Sequence, residues 1–253
     1  MHLSLPTALL LAAGTAVAVP TENPIELFNR AAAGTVITQC TQSGVLALAY
    51  DDGPYQYTSE LVDILNRAGA KGTFFWTGTL YGCIYGQSAA VQKAFASGHQ
   101  IASHTWSHSN QMATMSAAQV KAEMTKLEQA FVNLIGVTPA YMRPPYLNTG
   151  GQILPVLKEL GYSVITDSID SKDWAGATPA QSESYFMAAG AAGKGNIPLM
   201  HETYATTVRV LTPWLINWAK QNNLRIVTVA ECLGDQNGMY KQNTVSKNGA
   251  NTC

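Results

Sequence analysis

The sequence predicts a single α/β domain, most simply a barrel of parallel strands wrapped by outer helices. Three observations carry this. Short apolar runs alternate with amphipathic helical stretches from residue 45 to residue 229. Gly and Pro punctuate nearly every junction. Reactive polar residues recur where the apolar runs end, which in α/β folds is the carboxyl-terminal mouth of the sheet. A length of 253 residues suits one large domain, and a 47% hydrophobic content is ample for its core. Charged residues make up 12% of the chain, about half the usual share, and the net charge is -1. Such a surface has no long-range field to gather nucleic acid or an anionic membrane, so a neutral or weakly charged partner is expected.

The elements follow in order. Residues 45–50 read as a buried strand that stops at Asp51-Asp52-Gly53-Pro54. Thr58 is placed as the cap of a helix carrying Leu61, Ile64, Leu65 and Ala68, with Gly69 as its stop. Residues 72–76 are β-branched and aromatic, a second strand. A short helix over 89–96 ends at Gly98, and strand 100–103 leads into His104. Ser116 and Gln119 have capping-box spacing ahead of a stripe made by Val120, Met124, Leu127, Phe131 and Leu134, with Gly136 as the stop. Strand 140–142 runs into Arg143-Pro144-Pro145-Tyr146. Then come helix 153–160 with Pro155 in its first turn, strand 162–167, an Ala-rich helix over 179–189 and strand 197–200 before His201. Thr212-Pro213 opens a helix that buries Trp214, Leu215, Trp218 and Ala219, and residues 224–229 make the last strand.

The ends read differently. Residues 3–17 are mostly apolar or small and finish at Ala16-Val17-Ala18, a small-x-small pattern; residues 1–18 are therefore expected to be a secretory signal peptide. Residues 19–39 are expected to be a leader or short propeptide, with a processing point at Arg30-Ala31. The folded domain is drawn at 40–235 and a C-terminal tail at 236–253. Four cysteines fit two disulfides in an exported protein. Cys40 precedes the first strand and Cys232 follows the last, which a closed barrel makes neighbours. The expected pairs are thus Cys40–Cys232 and Cys83–Cys253, the second tying down the tail.

The strand ends bring Asp51 and Asp52, His104 and His108, Arg143, then Asp167, Asp170 and Asp173, then His201 to one mouth. Histidines at i and i+4 can reach one ion, and two His with one Asp leave a coordination position open, as catalytic zinc sites do. Cobalt, nickel or iron suit the same donors. One of the paired aspartates then binds the metal, and the other takes a proton from water while Arg143 keeps it ionised. His201 is open between third ligand, general acid and core histidine, with Asp170 or Asp173 as its partner. Trp174 and Leu199 can wall a small apolar pocket. The residues alone reach metal-assisted hydrolysis.

The motif order resembles a known family. Asp51-Asp52-Gly53-Pro54, His104-x-x-x-His108, Arg143-x-Pro145-Tyr146, Asp170-x-x-Asp173-Trp174 and Leu199-x-His201 look like the five motifs of the polysaccharide deacetylases, carbohydrate esterase family 4. They occur in family order over residues 51–201, and the strand framework extends the likeness to about 40–235. Within the family the chain is most similar to the secreted fungal chitin deacetylases. The resemblance implies a distorted (β/α) barrel and removal of N-acetyl groups from N-acetylglucosamine units of chitin or chitooligosaccharides. It implies Asp51 as general base, one divalent metal (zinc, or cobalt) on Asp52, His104 and His108, and His201 as general acid tuned by Asp170. It implies further that Arg143 positions Asp51, that the Tyr146 backbone N–H holds the oxyanion, and that Trp174 and Leu199 receive the acetyl methyl. Sugar contacts are expected from 55–57, 76–85 and 109–111. A monomer outside the cell, acting on carbohydrate, is the expected setting. Acetylxylan or peptidoglycan deacetylation on the same site is the nearest alternative. An inactive carbohydrate binder is the other, and such a relative would usually have lost Asp51 or His201.

Overall fold

The structure, a computed structural model, describes Met1 and residues 33–235, 237–241 and 245–253. The expected signal segment and the Arg30 processing point lie outside the described residues.

The strands are β1 (Val36–Ile37), β2 (Val45–Leu46), β3 (Ala49–Asp51), β4 (Thr73–Trp76), β5 (Gln100–Ser103), β6 (Thr138–Pro139), β7 (Tyr141–Met142), β8 (Ser163–Ile165), β9 (Ile169–Asp170), β10 (Pro198–His201), β11 (Arg225–Ile226) and β12 (Tyr240–Lys241). The helices are α1 (Thr58–Arg67), α2 (Ser88–Ala96), α3 (Ala117–Ile135), α4 (Ile153–Glu159), α5 (Pro179–Ala189), α6 (Thr212–Gln221) and α7 (Val229–Cys232). Eight strands form one sheet in the order β1-β8-β7-β5-β4-β3-β10-β9, and every pair in it is parallel. Parallel pairing sends all the carboxyl ends to one side.

The sheet is curled into a distorted barrel whose seam lies between β1 and β9. The chain itself crosses the seam at residues 166–168: Thr166 N–H donates to Ile37 O at 2.9 Å and Ser168 N–H to Ile197 O at 2.9 Å. Val36 and Ile37 stand opposite Val164 and Ile165. Residues assigned from sequence to the leader thus form an edge strand, and the barrel begins before residue 40.

The expected strand over 45–50 is two strands, because the run changes partners. Val45 and Leu46 pair with Arg225 and Ile226 on β11, Ala47 N–H turns to Asn196 O at 2.9 Å, and β3 then enters the main sheet between β4 and β10. The expected strand over 224–229 is cut short at Ile226. The Thr228 side chain accepts from Glu231 N–H at 3.1 Å and starts α7 instead. The β2–β11 ladder places Cys40 beside Cys232, whose Cα atoms are 5.1 Å apart in a disulfide. Cys83 and Cys253 form the second, at 5.7 Å. Both are the pairs expected.

α3 shows both halves of its capping box and ends at Gly136 in the left-handed region (φ 76). Its stripe of Val120, Met124, Leu127 and Phe131 is fully buried. Thr58 does not cap α1; it lies within the helix and its hydroxyl donates to Glu202 Oε1 at 2.6 Å. Leu61 of α1, Phe74 of β4 and Leu215 of α6 share one buried cluster, and Ala49, Phe75, Ala102, Tyr141 and Ile165 belong to a second.

Candidate active site

The main-sheet strand ends deliver the site. β3 ends in Asp51 with Asp52 next, β5 leads to His104, β7 to Arg143, β9 ends in Asp170 and β10 in His201. Across the β3–β10 ladder the Cα partner of Asp51 is His201. Among the described residues, seven non-glycine residues have positive φ, and Asp52, Thr105, His108, Tyr146, Leu147 and Lys172 all belong to the loops at this mouth; only Asn223 lies elsewhere. Strained backbone of this kind persists where surrounding structure over-determines it, and it concentrates at functional sites.

Asp51 and Arg143 form a buried pair. Arg143 Nη1 donates to Asp51 Oδ1 at 2.7 Å. Nη2 donates to Thr166 O at 2.7 Å and to Pro198 O at 3.3 Å, and the guanidinium carbon lies 4.6 Å from the Phe75 ring centre. A fully buried guanidinium needs such partners, because its desolvation costs several kcal/mol. The second Asp51 oxygen lies 3.8 Å from His104 Nε2.

Asp52, His104 and His108 converge, with one ligand atom of each within 4.8 Å of the others. Asp52 Oδ1 stands 3.5 Å from His104 Nε2 and 3.3 Å from His108 Nε2. His104 Nδ1 lies 2.5 Å from Arg143 O; a carbonyl only accepts, so Nδ1 carries the hydrogen and Nε2 offers its lone pair. Burial, with His104 beside it, pushes His108 down to about 4, so its ring is neutral near neutral pH. Burial works to raise Asp52, but the neighbouring imidazoles outweigh it and hold the carboxyl below its ordinary range. Asp52 Oδ1 is buried with no hydrogen-bond partner. An orphaned carboxylate oxygen facing two imidazole nitrogens is what a divalent metal satisfies, and this donor set fits one.

His201 is held by Asp173. Its Nδ1 lies 2.7 Å from Asp173 Oδ1 and its backbone N–H donates to Oδ2 at 2.8 Å. The Thr207 hydroxyl donates to the same Oδ2 at 2.7 Å, and Trp174 N–H to Oδ1 at 2.8 Å. Burial alone would depress the imidazole; the hydrogen bond and charge of Asp173, aided by Asp51 and Asp52, prevail and push it up to about 9.

This corrects the role expected for Asp170. Its carboxylate instead accepts from Lys172 N–H at 2.8 Å and Trp174 Nε1 at 3.1 Å, and pairs with Lys172 Nζ at 3.3 Å. Lys172 in the left-handed region (φ 57) turns the chain so that Asp173 is buried beside the imidazole. Asp170 fastens the turn; Asp173 tunes the histidine.

The cluster opens into a cleft of about 460 Å³. Leu199 lines it, nearly buried, while Trp174 and Tyr146 are 54% and 67% exposed at its rim. The Tyr146 ring centre is 4.9 Å from that of His108. Leu80, Tyr81 and Tyr204 also line it. Of the segments expected to touch sugar, 76–85 reaches the cleft through Leu80 and Tyr81.

Two residues escaped the sequence reading. Thr207 braces Asp173 from a π-helical turn (Thr207–Leu211), a local irregularity without a spacing signature. Glu202 is fully buried and accepts from Thr58 Oγ1 and Trp76 Nε1, the latter at 2.9 Å. Burial pushes its carboxyl up to about 8. It sits against Gly53, where an added Cβ would meet Glu202 Oε1 at 1.7 Å, so only glycine fits the turn after Asp52. An acidic residue at a strand end, directly after a candidate histidine, was its only available signal.

Comparison with known proteins agrees with this geometry. The family model described as polysaccharide deacetylase matches residues 38–165. A chitin deacetylase of Pestalotiopsis sp. is 43% identical over 226 residues, covering 89% of this chain and 74% of that protein. A chitin deacetylase of Colletotrichum lindemuthianum is 36% identical over 244 residues, covering 93% of this chain and 97% of that one. The solved structure of the chitin deacetylase from that fungus has a TM-score of 0.78 at 35% identity, over 84% of this chain and 98% of the other. On fold, site and likeness together, the chain belongs to the polysaccharide deacetylase family.

Proposed function

We propose that this chain hydrolyses the N-acetyl groups of N-acetylglucosamine units in chitin or chitooligosaccharides, releasing acetate and leaving a chitosan-type product. The observation that carries the reading is the pairing of Asp51 and His201 on adjacent strands, one ion-paired to a guanidinium and the other pushed up to about 9. A carboxylate anchored by a guanidinium beside a histidine raised by its own aspartate offers a base and an acid at one site.

Asp51, ion-paired to Arg143 at 2.7 Å, accepts the proton of the attacking water. That water adds to the amide carbonyl carbon. The Tyr146 backbone N–H donates to the oxygen as charge develops there. His201 gives its proton to the amide nitrogen, the C–N bond breaks, and acetate and a free amine remain. An amine leaves readily only with that proton, so a histidine held protonated suits an amide substrate. Leu199 and Trp174 take the acetyl methyl. Asp52, His104 and His108 would hold one divalent metal, zinc by ligand type with cobalt acceptable, which supplies Lewis-acid polarisation of the acyl oxygen.

The two disulfides fit an oxidising compartment, and we read the chain as an exported monomer acting on glycan outside the cell or in its wall. Acetate release from chitin oligomers, acetylxylan and peptidoglycan fragments, each with and without chelator, tests the function. Chelator-sensitive release from chitin oligomers supports it. Release confined to acetylxylan, or untouched by complete metal removal, overturns it.

A further inference from the structure

Asp51 and Asp52 are consecutive, yet both carboxylates face one ring: Asp51 Oδ2 lies 3.8 Å and Asp52 Oδ1 3.5 Å from His104 Nε2. Neighbours on a strand point to opposite faces. Asp51 stands opposite Phe75 across the β3–β4 ladder and pairs with Arg143, whose guanidinium lies over the Phe75 ring. A continuing strand would send Asp52 to the other face, where Trp76 shares a cluster with Leu61 and Phe74. The left-handed backbone of Asp52 (φ 72) ends the strand instead and turns its carboxylate back to the mouth. A residue with a Cβ holds that conformation only where its surroundings enforce it.

Glu202 supplies the enforcement. It directly follows His201, and its carboxylate lies on the Trp76 face. There Oε1 accepts from Thr58 Oγ1 at 2.6 Å and from Trp76 Nε1 at 2.9 Å, while Oε2 is buried without a hydrogen-bond partner. Oε1 and the indole nitrogen press on Gly53, where an added Cβ would meet them at 1.7 and 2.6 Å. The Gly53 carbonyl is held in turn by Thr77, whose N–H and hydroxyl donate to it at 2.8 and 3.3 Å. The exit of the turn is tied to the same network, because Tyr55 N–H donates to Thr58 Oγ1 at 2.8 Å. The residue after Asp52 is thus walled by one fully buried carboxylate that takes no part in the proton transfers proposed above. Burying an acid is costly, and one kept at such a place needs a reason.

We propose that Glu202 is a positioning residue for the metal centre: by walling the turn at Gly53 it holds Asp52 in the left-handed conformation that brings its carboxylate to His104 and His108. This rests on the reading of Asp52, His104 and His108 as the ligands of one divalent ion. Partners behind a ligand commonly carry about 10–100-fold of metal affinity, because they fix the ligand's direction before the ion arrives.

Zinc affinity, measured by competition with a chromogenic chelator, and the visible absorption of the cobalt-loaded protein test it without turnover. Glu202→Ala should weaken zinc binding about 10–100-fold and alter the cobalt bands. Glu202→Gln keeps an oxygen for the Thr58 hydroxyl and the Trp76 indole, and should keep both the affinity and the spectrum. Leu157→Ala, in the buried cluster that includes Ile153 and Val164, should lower the melting temperature and leave zinc affinity unchanged. Wild-type affinity and spectrum in Glu202→Ala overturn the proposal. So does a loss in Leu157→Ala as large as that in Glu202→Ala, since general destabilisation would then suffice. Should Glu202→Ala not fold, Thr58→Val decides: it removes the hydroxyl that joins Glu202 to the turn, and should weaken zinc in the same direction. Unchanged affinity there overturns the proposal. A wild type that binds zinc but releases no acetate from any oligomer defeats the deacetylase reading and leaves these comparisons to decide the role of Glu202.

Discussion

Asp173 grips His201 at two points: one carboxylate oxygen lies 2.7 Å from the imidazole Nδ1 and the other accepts the backbone N–H at 2.8 Å. With Nδ1 engaged, Nε2 is the one ring nitrogen left to deliver a proton. The group is raised above its ordinary 6.5, so it stays protonated until the pH passes about 9. In Asp173→Asn the acid form should be lost nearer 6.5, moving the basic limb of the kcat–pH profile downward; Asp170→Asn should leave that limb in place. The same linkage makes the pair's contribution to stability fully present below the unfolded value and lost as pH rises through about 9, which melting temperature against pH reports.

In the proposed mechanism the paired aspartates divide their labour, and two variants separate them. Asp51→Asn should keep its metal and lose about 10²–10⁴-fold in turnover, the usual worth of a general base. His104→Ala should lose metal and activity together. Metal analysis of the purified variants beside acetate assays checks both. Loss of metal from Asp51→Asn would reverse the assignment.

Metal removal should act on stability as well as rate. A ligand bound only to the folded state stabilises it by mass action, so chelation should lower the melting temperature and abolish acetate release. Zinc or cobalt should restore both.

Glu202 predicts a stability trend of its own. Its carboxyl is raised from 4.5 to about 8 in the folded protein, so between those values the unfolded chain has lost the proton and the native chain keeps it. Stability should therefore fall as pH rises across that window, and Glu202→Gln should flatten the curve.

Gly53→Ala drives a Cβ into Glu202 and should cost about 1–3 kcal/mol, read by denaturant midpoint. Combining it with Glu202→Ala should recover part of that loss, because the two positions share one space.

What the chain made legible was whatever is written locally or by chain order. The α3 capping box, the strand-end placement of Asp51, His104, Arg143 and His201, and the partnership of Cys40 with Cys232 all rest on short spacing or on barrel adjacency. Long-range partners were hidden. Nothing near residue 170 tells which aspartate turns inward; the left-handed Lys172 decides that, and a lysine there is not a signal. The break of 45–50 into β2 and β3 depends on Asn196, some 150 residues away. Val36 and Ile37 have no flanking pattern of their own and are recruited by β8.

The Arg143 guanidinium touches three things at once: the Asp51 carboxylate, the carbonyl of Thr166 in the seam crossing and the carbonyl of Pro198 on β10. One side chain thus pairs with the proposed base and bolts the barrel shut. Its removal is an architectural injury before it is a chemical one. Drift toward a silent but intact protein is accordingly expected to run through Asp51 or His201, and a chain altered at Arg143 is expected to be culled as misfolded before selection can weigh its chemistry.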